Sequence, residues 1–377
     1  MLRAALRLAA GTVSLATGGW VLRALHGTPA ALGAQSSEIR GVAERSPHYH
    51  DGVFVNLEPA SLNIDTEEQR NILWELISGR AAGRPATDIP LITLEPRAFE
   101  APAGRIAVSW FGHSTALLEI DGYRVLTDPV WSERCSPSDV VGPGRMHPPP
   151  VPLDALPALD AIVVSHDHYD HLDTDTIIAL ARTQWAPFVV PLGVGAHLRD
   201  WGIPDERIIE LDWNERAQID ELTLICTPAR HFSGRFLNRN VTLWASWAII
   251  GPAHRAYFGG DTGYTKSFAE IGQEHGPFDL TLMPVGAYNT VWPDIHMNPE
   301  DAVQAHVDVN GGLLVPIHWC TFRLAPHPWA EPIERLLAAA GAANVAVAVP
   351  KPGGRVDPTA TAEFEPWWRL AEPSRYA

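Results

Sequence analysis

The chain has 377 residues, of which 46% are apolar and 19% are charged, so it is long and apolar enough to bury a sizeable core. Its formal net charge of -16 argues against a nucleic acid as the main partner, because phosphate backbones are bound by an excess of Lys and Arg. The three cysteines are far apart and show no CxxC spacing, so they indicate neither a disulfide framework nor a thiolate zinc site.

The first 35 residues differ in character from the rest of the chain. Arg3 and Arg7 precede an apolar stretch over residues 8–22 that is interrupted only by Gly, Ser and Thr. This pattern is typical of a signal-peptide core or a marginal membrane anchor, and the small residues at 31–34 would suit a signal peptidase. The alternative is an amphipathic helix packed on the domain. We expect the protein to be exported or membrane-associated, with the cytoplasmic face not excluded.

Residues 36–103 are polar and punctuated by prolines. This composition predicts an N-terminal extension that wraps or caps the core rather than a domain of its own. The core pattern begins afterwards, and we therefore expect three parts: residues 1–35, residues 36–103 and a hydrolase domain over residues 104–377.

From residue 105 onward, strand-like and helix-like segments alternate along the chain. Two apolar runs, 105–120 and 123–130, flank the strong turn dipeptide Asp121-Gly122 and predict a hairpin. The run at 161–166 is almost continuously apolar, as in a strand buried on both faces. Further strands and periodic helices follow, the last of them a helix over 331–341. This order predicts one large layered α/β domain.

A short turn after the 161–166 run carries four residues that can bind metal: His166, His168, Asp170 and His171. Imidazole and carboxylate groups suit zinc and similar ions. Burying four such groups is costly unless each has a partner. A turn can direct the first two side chains to one side and the last two to the other, so that a single loop supplies two metal sites.

Three more candidate ligands each follow an apolar strand-like run: His231, Asp261 and His318. Each is a weak signal alone, since a histidine after a strand is often structural. Their recurrence at strand ends, where side chains emerge at the edge of a sheet, favours a common site. The Asp261 carboxylate can bridge two cations about 3.5–4 Å apart, as two-metal hydrolases require.

The motif HDHYDH at 166–171 resembles the HxHxDH signature of the metallo-β-lactamase superfamily, and the three later residues follow in the order of that family's other ligands. The resemblance spans about residues 105–318 and implies an αββα sandwich with two zinc ions at one edge of the sheets. Iron or manganese would suit the same ligands. The resemblance assigns His166, His168 and His231 to one metal, and Asp170, His171 and His318 to the other, with Asp261 bridging.

Longer segments, among them WFGHSTALLEIDGYRVLTDPVW (110–131), TPARHFSGR (227–235) and VPIHWCTF (315–322), resemble N-acylphosphatidylethanolamine-hydrolysing phospholipases D and their bacterial relatives. This implies cleavage of such phospholipids to N-acylethanolamine and phosphatidic acid by a hydroxide that bridges the two metals. A membrane surface and a second copy of the chain are the expected partners. The alternative is a lactonase or small-ester hydrolase of the ascorbate-6-phosphate lactonase type. A complete ligand set argues against a non-catalytic binding protein.

Three further residues are candidates for supporting roles, and Asp170 is expected to orient the nucleophile or carry a proton while remaining a ligand. His113 and Asp128 also end core strands and would lie behind the ligands, where they could fix ligand tautomers. For His113, a satisfied core histidine is the alternative. His296 would contact phosphate or protonate the leaving group, or it is only a loop residue at the entry of a helix.

Overall fold

The computed structural model describes residues 23–25, 27–60, 70, 74, 83–99, 105–235, 238–359 and 365–371. Its N-terminal part contains two short helices, Thr28–Leu32 (α1) and Ser36–Ala43 (α2), and a two-stranded hairpin, Tyr49–His50 (β1) and Val53–Phe54 (β2). The side chains of Ile39, Ala43 and Phe54 are fully buried, so this part of the chain packs against the rest of the protein.

A first sheet has seven strands: Ile106–Gly112 (β3), Thr115–Ile120 (β4), Tyr123–Thr127 (β5), Ala161–Val163 (β6), Phe188–Pro191 (β7), Ile208–Leu211 (β8) and Arg355–Val356 (β16). Their order across the sheet is β16-β3-β4-β5-β6-β7-β8. Neighbours from β16 to β5 pair antiparallel, and those from β5 to β8 pair parallel.

The second sheet also has seven strands: Arg216–Ile219 (β9), Leu222–Thr227 (β10), Ser246–Ile250 (β11), Arg255–Phe258 (β12), Phe278–Pro284 (β13), Gly311–Ile317 (β14) and Ala346–Val347 (β15). Their order across the sheet is β15-β14-β13-β12-β11-β10-β9. Strands β9 to β12 pair antiparallel, and β12 to β15 pair parallel.

Helices cover the outer faces of both sheets. Thr174–Thr183 (α3) and Val194–Asp200 (α4) lie on the first sheet, and Ser267–His275 (α5), Pro299–Asp308 (α6) and Glu331–Ala343 (α7) lie on the second. Asn298 caps α6 by accepting a hydrogen bond from the Asp301 N–H. The predicted layered α/β fold, an αββα sandwich, is confirmed.

The central strands are apolar on both faces because each sheet packs against the other sheet on one face and against helices on the other. Along β3, Val108 and Trp110 point into the core between the two sheets, whereas Phe111 joins the outer cluster beneath α3 and α4. Strands in such a position lose the alternation of polar and apolar residues. This explains the continuous apolar runs in the sequence.

The predicted hairpin at Asp121-Gly122 is present, with Ile120 opposite Tyr123 and both turn residues at positive φ. The run over 105–120, however, is two strands rather than one. Gly112 and His113 adopt φ values of 110° and 52°, and the chain reverses between β3 and β4. Positive φ is rare outside glycine, so the sequence gives no sign of a turn at a histidine.

The prediction of an exported or membrane-associated protein is wrong for the part of the chain that the structure describes. No helix there is long and apolar enough to cross a membrane. The apolar residues 8–22 lie outside the described residues. The stretch at 31–34 is folded: the Ala31 carbonyl accepts a hydrogen bond from Arg235 Nε, and the Ala34 N–H donates to His197 Nδ1.

Candidate metal centre

One edge of the sandwich collects the candidate site residues. The loops after β5, β6, β10, β12 and β14 and the turn between β3 and β4 all open at this edge. They bring together His113, Asp128, His166, His168, Asp170, His171, His231, Asp261 and His318. Most of these side chains are buried, although Asp170 keeps 14% of its side chain exposed.

A first group consists of three histidines, His166, His168 and His231. His168 Nδ1 lies 2.8 Å from His166 Nε2 and 3.4 Å from His231 Nε2. Zinc–nitrogen bonds of about 2.0–2.1 Å in tetrahedral geometry place neighbouring nitrogens about 3.4 Å apart. The distance between His168 and His231 matches this spacing, whereas His166 and His168 would have to separate slightly around a zinc-sized cation.

A second group is formed by Asp170, His171 and His318, with Asp261 beside it. Asp170 Oδ2 lies 3.3 Å from His171 Nε2 and 3.4 Å from His318 Nε2. Asp261 Oδ2 lies 3.2 Å and 3.0 Å from the same two nitrogens. The same Asp261 oxygen is 3.8 Å from His231 Nε2 in the first group, so it lies between the two groups.

The buried carboxylates and histidines of the cluster shift one another's pKa values. Burial would raise the pKa of Asp261, but the charges of His171 and His318 hold it well below its ordinary value. Burial would lower the pKa of His318, but the charge of Asp261 and the close approach of both carboxylates raise it to about 9. Burial and the neighbouring histidines lower the pKa of His166. Two buried carboxylates thus attract positive charge into the site, in the form of protons or metal cations.

Several polar atoms of the cluster have no hydrogen-bond partner among the described residues. They include His171 Nε2, His318 Nε2 and Asp261 Oδ1. Buried polar groups are otherwise almost always paired. Cations between the two groups would supply the missing partners, and the donor set of imidazoles and carboxylates fits two divalent ions. The cluster is therefore able to bind metal.

The outer ring nitrogens of two candidate ligand histidines are hydrogen-bonded to further groups. His171 Nδ1 donates to Asp128 Oδ2 at 2.6 Å, and Ser165 donates to the same carboxylate through its N–H and its hydroxyl. Ser165 Oγ in turn accepts from His166 Nδ1 at 2.9 Å. These bonds leave the Nε2 atoms of both histidines free to face the centre of the cluster, as is usual for histidines that bind metal.

His113 lies on the same side, where its ring packs against that of His318 with centroids 4.1 Å apart and its side-chain hydrogen bond goes to a carboxylate. Its Nε2 donates to Asp170 Oδ2 at 2.9 Å. Burial lowers the pKa of His113 to about 3, so the imidazole is neutral. His113, Asp128 and His318 have φ values of 52°, 35° and 61°, a strained backbone conformation that is frequent at functional sites.

His296 closes the cluster on the other side. Its Nδ1 lies 3.8 Å from Asp261 Oδ2, and burial lowers its pKa to about 4. It also lines a cavity of about 420 Å³ together with Tyr288, Asn289, Thr290, Pro293, Asn298, Pro326, His327, Glu331 and Arg335. His296 thus connects the metal-binding groups with a space large enough for a small polar molecule.

Sequence reasoning missed three groups that hold the site. Ser165 stands directly before the HDHYDH motif, and Asp167 stands at a position of the motif for which the HxHxDH signature specifies no residue. The signature therefore gives no sign of either. The Asp167 carboxylate is fully buried and accepts from the Gly234 N–H and the Thr242 hydroxyl, so it fixes the loop rather than binding metal. Asn56 pairs with His231 across 175 residues of sequence, and no local pattern signals such a contact.

Comparisons with known proteins agree with this geometry. Residues 123–319 match the family model described as beta-lactamase superfamily domain. An uncharacterized protein of Mycobacterium tuberculosis is 71% identical over 98% of this chain and 100% of its own length. The N-acyl-phosphatidylethanolamine-hydrolyzing phospholipase D 1 of Caenorhabditis elegans is 38% identical over 66% of this chain and 73% of its own length.

The fold is also found among solved structures. A metallo hydrolase of the archaeon Ignicoccus hospitalis aligns with a TM-score of 0.52 and 24% identity, over 67% of this chain and 97% of its own. At this identity the likeness concerns the fold alone. Together with the family model and the relatives, it identifies the chain as a metal-dependent hydrolase that belongs to the metallo-β-lactamase superfamily.

Proposed function

We propose that this protein is a binuclear, zinc-dependent phosphodiesterase that cleaves N-acylphosphatidylethanolamine-type phospholipids to N-acylethanolamine and phosphatidic acid. The proposal of two metal ions rests on the position of Asp261 Oδ2, which lies 3.0 Å from His318 Nε2 and 3.8 Å from His231 Nε2. The substrate part is supported by relatives whose names assign them this phospholipase activity. A lipid surface and a second copy of the chain remain predicted partners.

The residues divide between two cation sites. His166, His168 and His231 would hold one ion, and Asp170, His171 and His318 the other, with Asp261 shared. Bound in this way, two divalent cations would lower the pKa of water to about 7 and neutralise charge on a phosphoryl group.

Two side chains, Asp170 and His296, would orient the attacking water and the substrate. Asp170 accepts a hydrogen bond from the neutral His113 and keeps 14% of its side chain exposed, so it would orient the attacking water or accept a proton from it. His296 is neutral above its pKa of about 4. It is therefore placed to donate a hydrogen bond to a phosphoryl oxygen or to the departing alcohol, rather than to act as a cation.

The cavity beside His296 suits the head of a leaving alcohol. The Tyr288 ring stacks on His327 with centroids 4.6 Å apart, and its hydroxyl donates to Glu331 at 2.6 Å. Such a mixture of aromatic faces and polar ends fits an amide-bearing ethanolamine group and the start of its acyl chain. The volume of about 420 Å³ is too small for a whole diacyl phospholipid, so the rest of the lipid would lie outside.

The test is an assay of chelated and zinc-reloaded protein against N-acylphosphatidylethanolamine, phosphatidylcholine and a panel of lactones. We expect reloaded protein to release N-acylethanolamine, and chelated protein or the Asp261→Asn variant to release none. Lactone hydrolysis without phospholipid turnover would contradict the proposed substrate and favour the lactonase alternative.

A further inference from the structure

A short segment of the N-terminal part, residues 53–59, lies beside the candidate metal centre on the side of His231. Its Phe54 N–H donates to the Asn240 carbonyl at 2.7 Å. At its other end, Glu58 Oε1 accepts from the Thr265 hydroxyl at 2.6 Å and from the Lys266 N–H at 2.7 Å. The segment is thus fixed on both sides of Asn56.

Asn56 contacts the backbone of His231 with both ends of its carboxamide. Nδ2 donates to the His231 carbonyl at 2.8 Å, and Oδ1 accepts from the His231 N–H at 3.0 Å. The indole N–H of the buried Trp244 donates to the same Oδ1 at 3.0 Å, which fixes the orientation of the amide. One side chain therefore satisfies both backbone groups of a candidate metal ligand.

The His231 ring is fixed independently of its backbone. Its Nδ1 donates to the Ile295 carbonyl at 2.8 Å, so Nε2 carries the free lone pair and faces His168. Because Asn56 holds the backbone of His231 and the Ile295 carbonyl holds its ring, the position of His231 Nε2 is fixed. A shift of the backbone would move that nitrogen away from the other two histidines.

We propose that Asn56 is a positioning residue for the first cation site, acting through His231. This inference rests on the metal centre of the proposed function. It places part of that centre in a segment that lies before the region matching the superfamily model, which begins at residue 123. Groups that orient metal ligands typically change metal affinity 10–100-fold when they are removed.

The experiment uses the full-length protein, stripped with a chelator and titrated with Co²⁺ alone in competition with that chelator. The variants are Asn56→Ala, which removes both bonds, and Asn56→Asp, which cannot donate and sets an anionic oxygen against the His231 carbonyl. Asn310→Asp is the matched control, because Asn310 Nδ2 also donates to a backbone carbonyl, that of Gly272, away from the cluster. The readouts are Co²⁺ affinity at each site, the visible absorption bands and the melting temperature without metal.

We expect both Asn56 variants to bind Co²⁺ at one of the two sites about 10–100-fold more weakly, with altered absorption bands, while Asn310→Asp behaves like the wild type. A lower melting temperature with unchanged affinity and spectrum would overturn the proposal, since it would show a purely structural role. If Asn56→Ala does not fold, Asn56→Asp carries the test alone, because it keeps the shape of the side chain and removes the donor to the His231 carbonyl. The same loss of affinity at one site is then expected, and no loss would overturn the proposal.

The outcomes for the two proposals differ. Absence of phospholipid turnover by a protein that binds two Co²⁺ ions would contradict the proposed substrate, while the Asn56 effect on Co²⁺ affinity would still be measured. Failure of the wild type to bind Co²⁺ would overturn the metal centre and the role of Asn56 together.

Discussion

The Asp128 carboxylate is fully buried, yet it lies one residue beyond the end of β5 in a backbone conformation with φ 35°. Burial raises its pKa, while the charge of His171 and hydrogen bonds from His171 and Ser165 lower it and partly offset that rise. Its contacts extend to His166 through Ser165. A single carboxylate thus orients one histidine of each candidate cation site.

The substitution Asp128→Asn should weaken metal binding without removing a ligand. An amide keeps the shape but accepts more weakly from His171 and sets its N–H₂ group against the Ser165 donors, so we expect a 10–100-fold loss of Zn²⁺ affinity, measured by chelator competition. Asp279→Asn is the control, because Asp279 accepts a backbone N–H from Arg255 on the exposed end of β13. Wild-type affinity in Asp128→Asn would contradict the role given to this residue.

His306 provides a pH test away from the cluster. It is 2% exposed on α6, accepts from or donates to the Thr281 hydroxyl, and burial lowers its pKa from 6.5 to about 4. Between these values the unfolded chain binds a proton that the folded protein does not. Its contribution is therefore fully favourable above pH 6.5 and is lost as the pH falls toward 4, by about 3 kcal/mol at most.

The measurement compares urea unfolding of wild-type and His306→Asn protein from pH 7 to pH 4, both with chelator so that metal release does not contribute. We expect the free energy of unfolding to fall less steeply in the variant. Parallel curves for the two proteins would show that His306 does not titrate in this way.

At the scale of single residues, the seven candidate ligands could be proposed from sequence because each is a chemically distinctive side chain at the end of an apolar run. Only some of the residues that orient these candidate ligands could be predicted from the sequence. Asp128 shares that signature, and it lies behind His171 as its position suggested. Asn56 does not, because a polar residue in a proline-rich extension looks like any exposed asparagine until the chain has folded.

At the scale of elements, the longer strands and helices could be predicted from apolar runs and periodicity, whereas most of the turns that place the candidate ligands could not. The hairpin at Asp121-Gly122 was predictable because that dipeptide favours positive φ at both positions. The reversal at Gly112-His113 and the bend at His318 were not, since they require a histidine at φ 52° or 61°. Short strands such as β9 and β16 also lack a sequence signal, because pairing with longer neighbours stabilises them.

A substitution at Gly286 would test how closely the loop after β13 packs against the backbone of His318. It follows β13, and a Cβ built there would lie 2.1 Å from the His318 carbonyl oxygen. We expect Gly286→Ala to displace the His318 backbone, with a loss of about 1–3 kcal/mol in stability and weaker Zn²⁺ binding. Both are measurable by thermal unfolding and metal titration.

The control for this substitution is Gly341→Ala in α7, where an added Cβ has no heavy atom within 4 Å. Alanine is favoured over glycine inside a helix, so this variant should gain about 0.5–1 kcal/mol. If Gly286→Ala were as stable as Gly341→Ala and bound Zn²⁺ normally, the close approach of Gly286 to His318 would not constrain the site.

At the scale of the whole molecule, the two similar sheets explain why the ligands are so far apart in sequence. Each sheet changes from antiparallel to parallel pairing near its centre, and the ligand loops follow the strands around that change. The buried Arg235 joins further parts of the chain: it donates to the carbonyls of Ala31, Asp167 and Leu172. Such long-range contacts explain why the N-terminal stretch at 31–34, read from sequence as a processing site, is part of the fold.

The central claim is that one edge of this sandwich holds two cations that share Asp261. Calorimetric titration of the chelated full-length protein with Zn²⁺ tests it most directly, with Asp261→Asn titrated in parallel. The account predicts two equivalents bound by the wild type and weakened binding at both sites in the variant, because its Oδ2 lies against both groups of ligands. Binding of one equivalent or none by the wild type, or unchanged binding by Asp261→Asn, would contradict it.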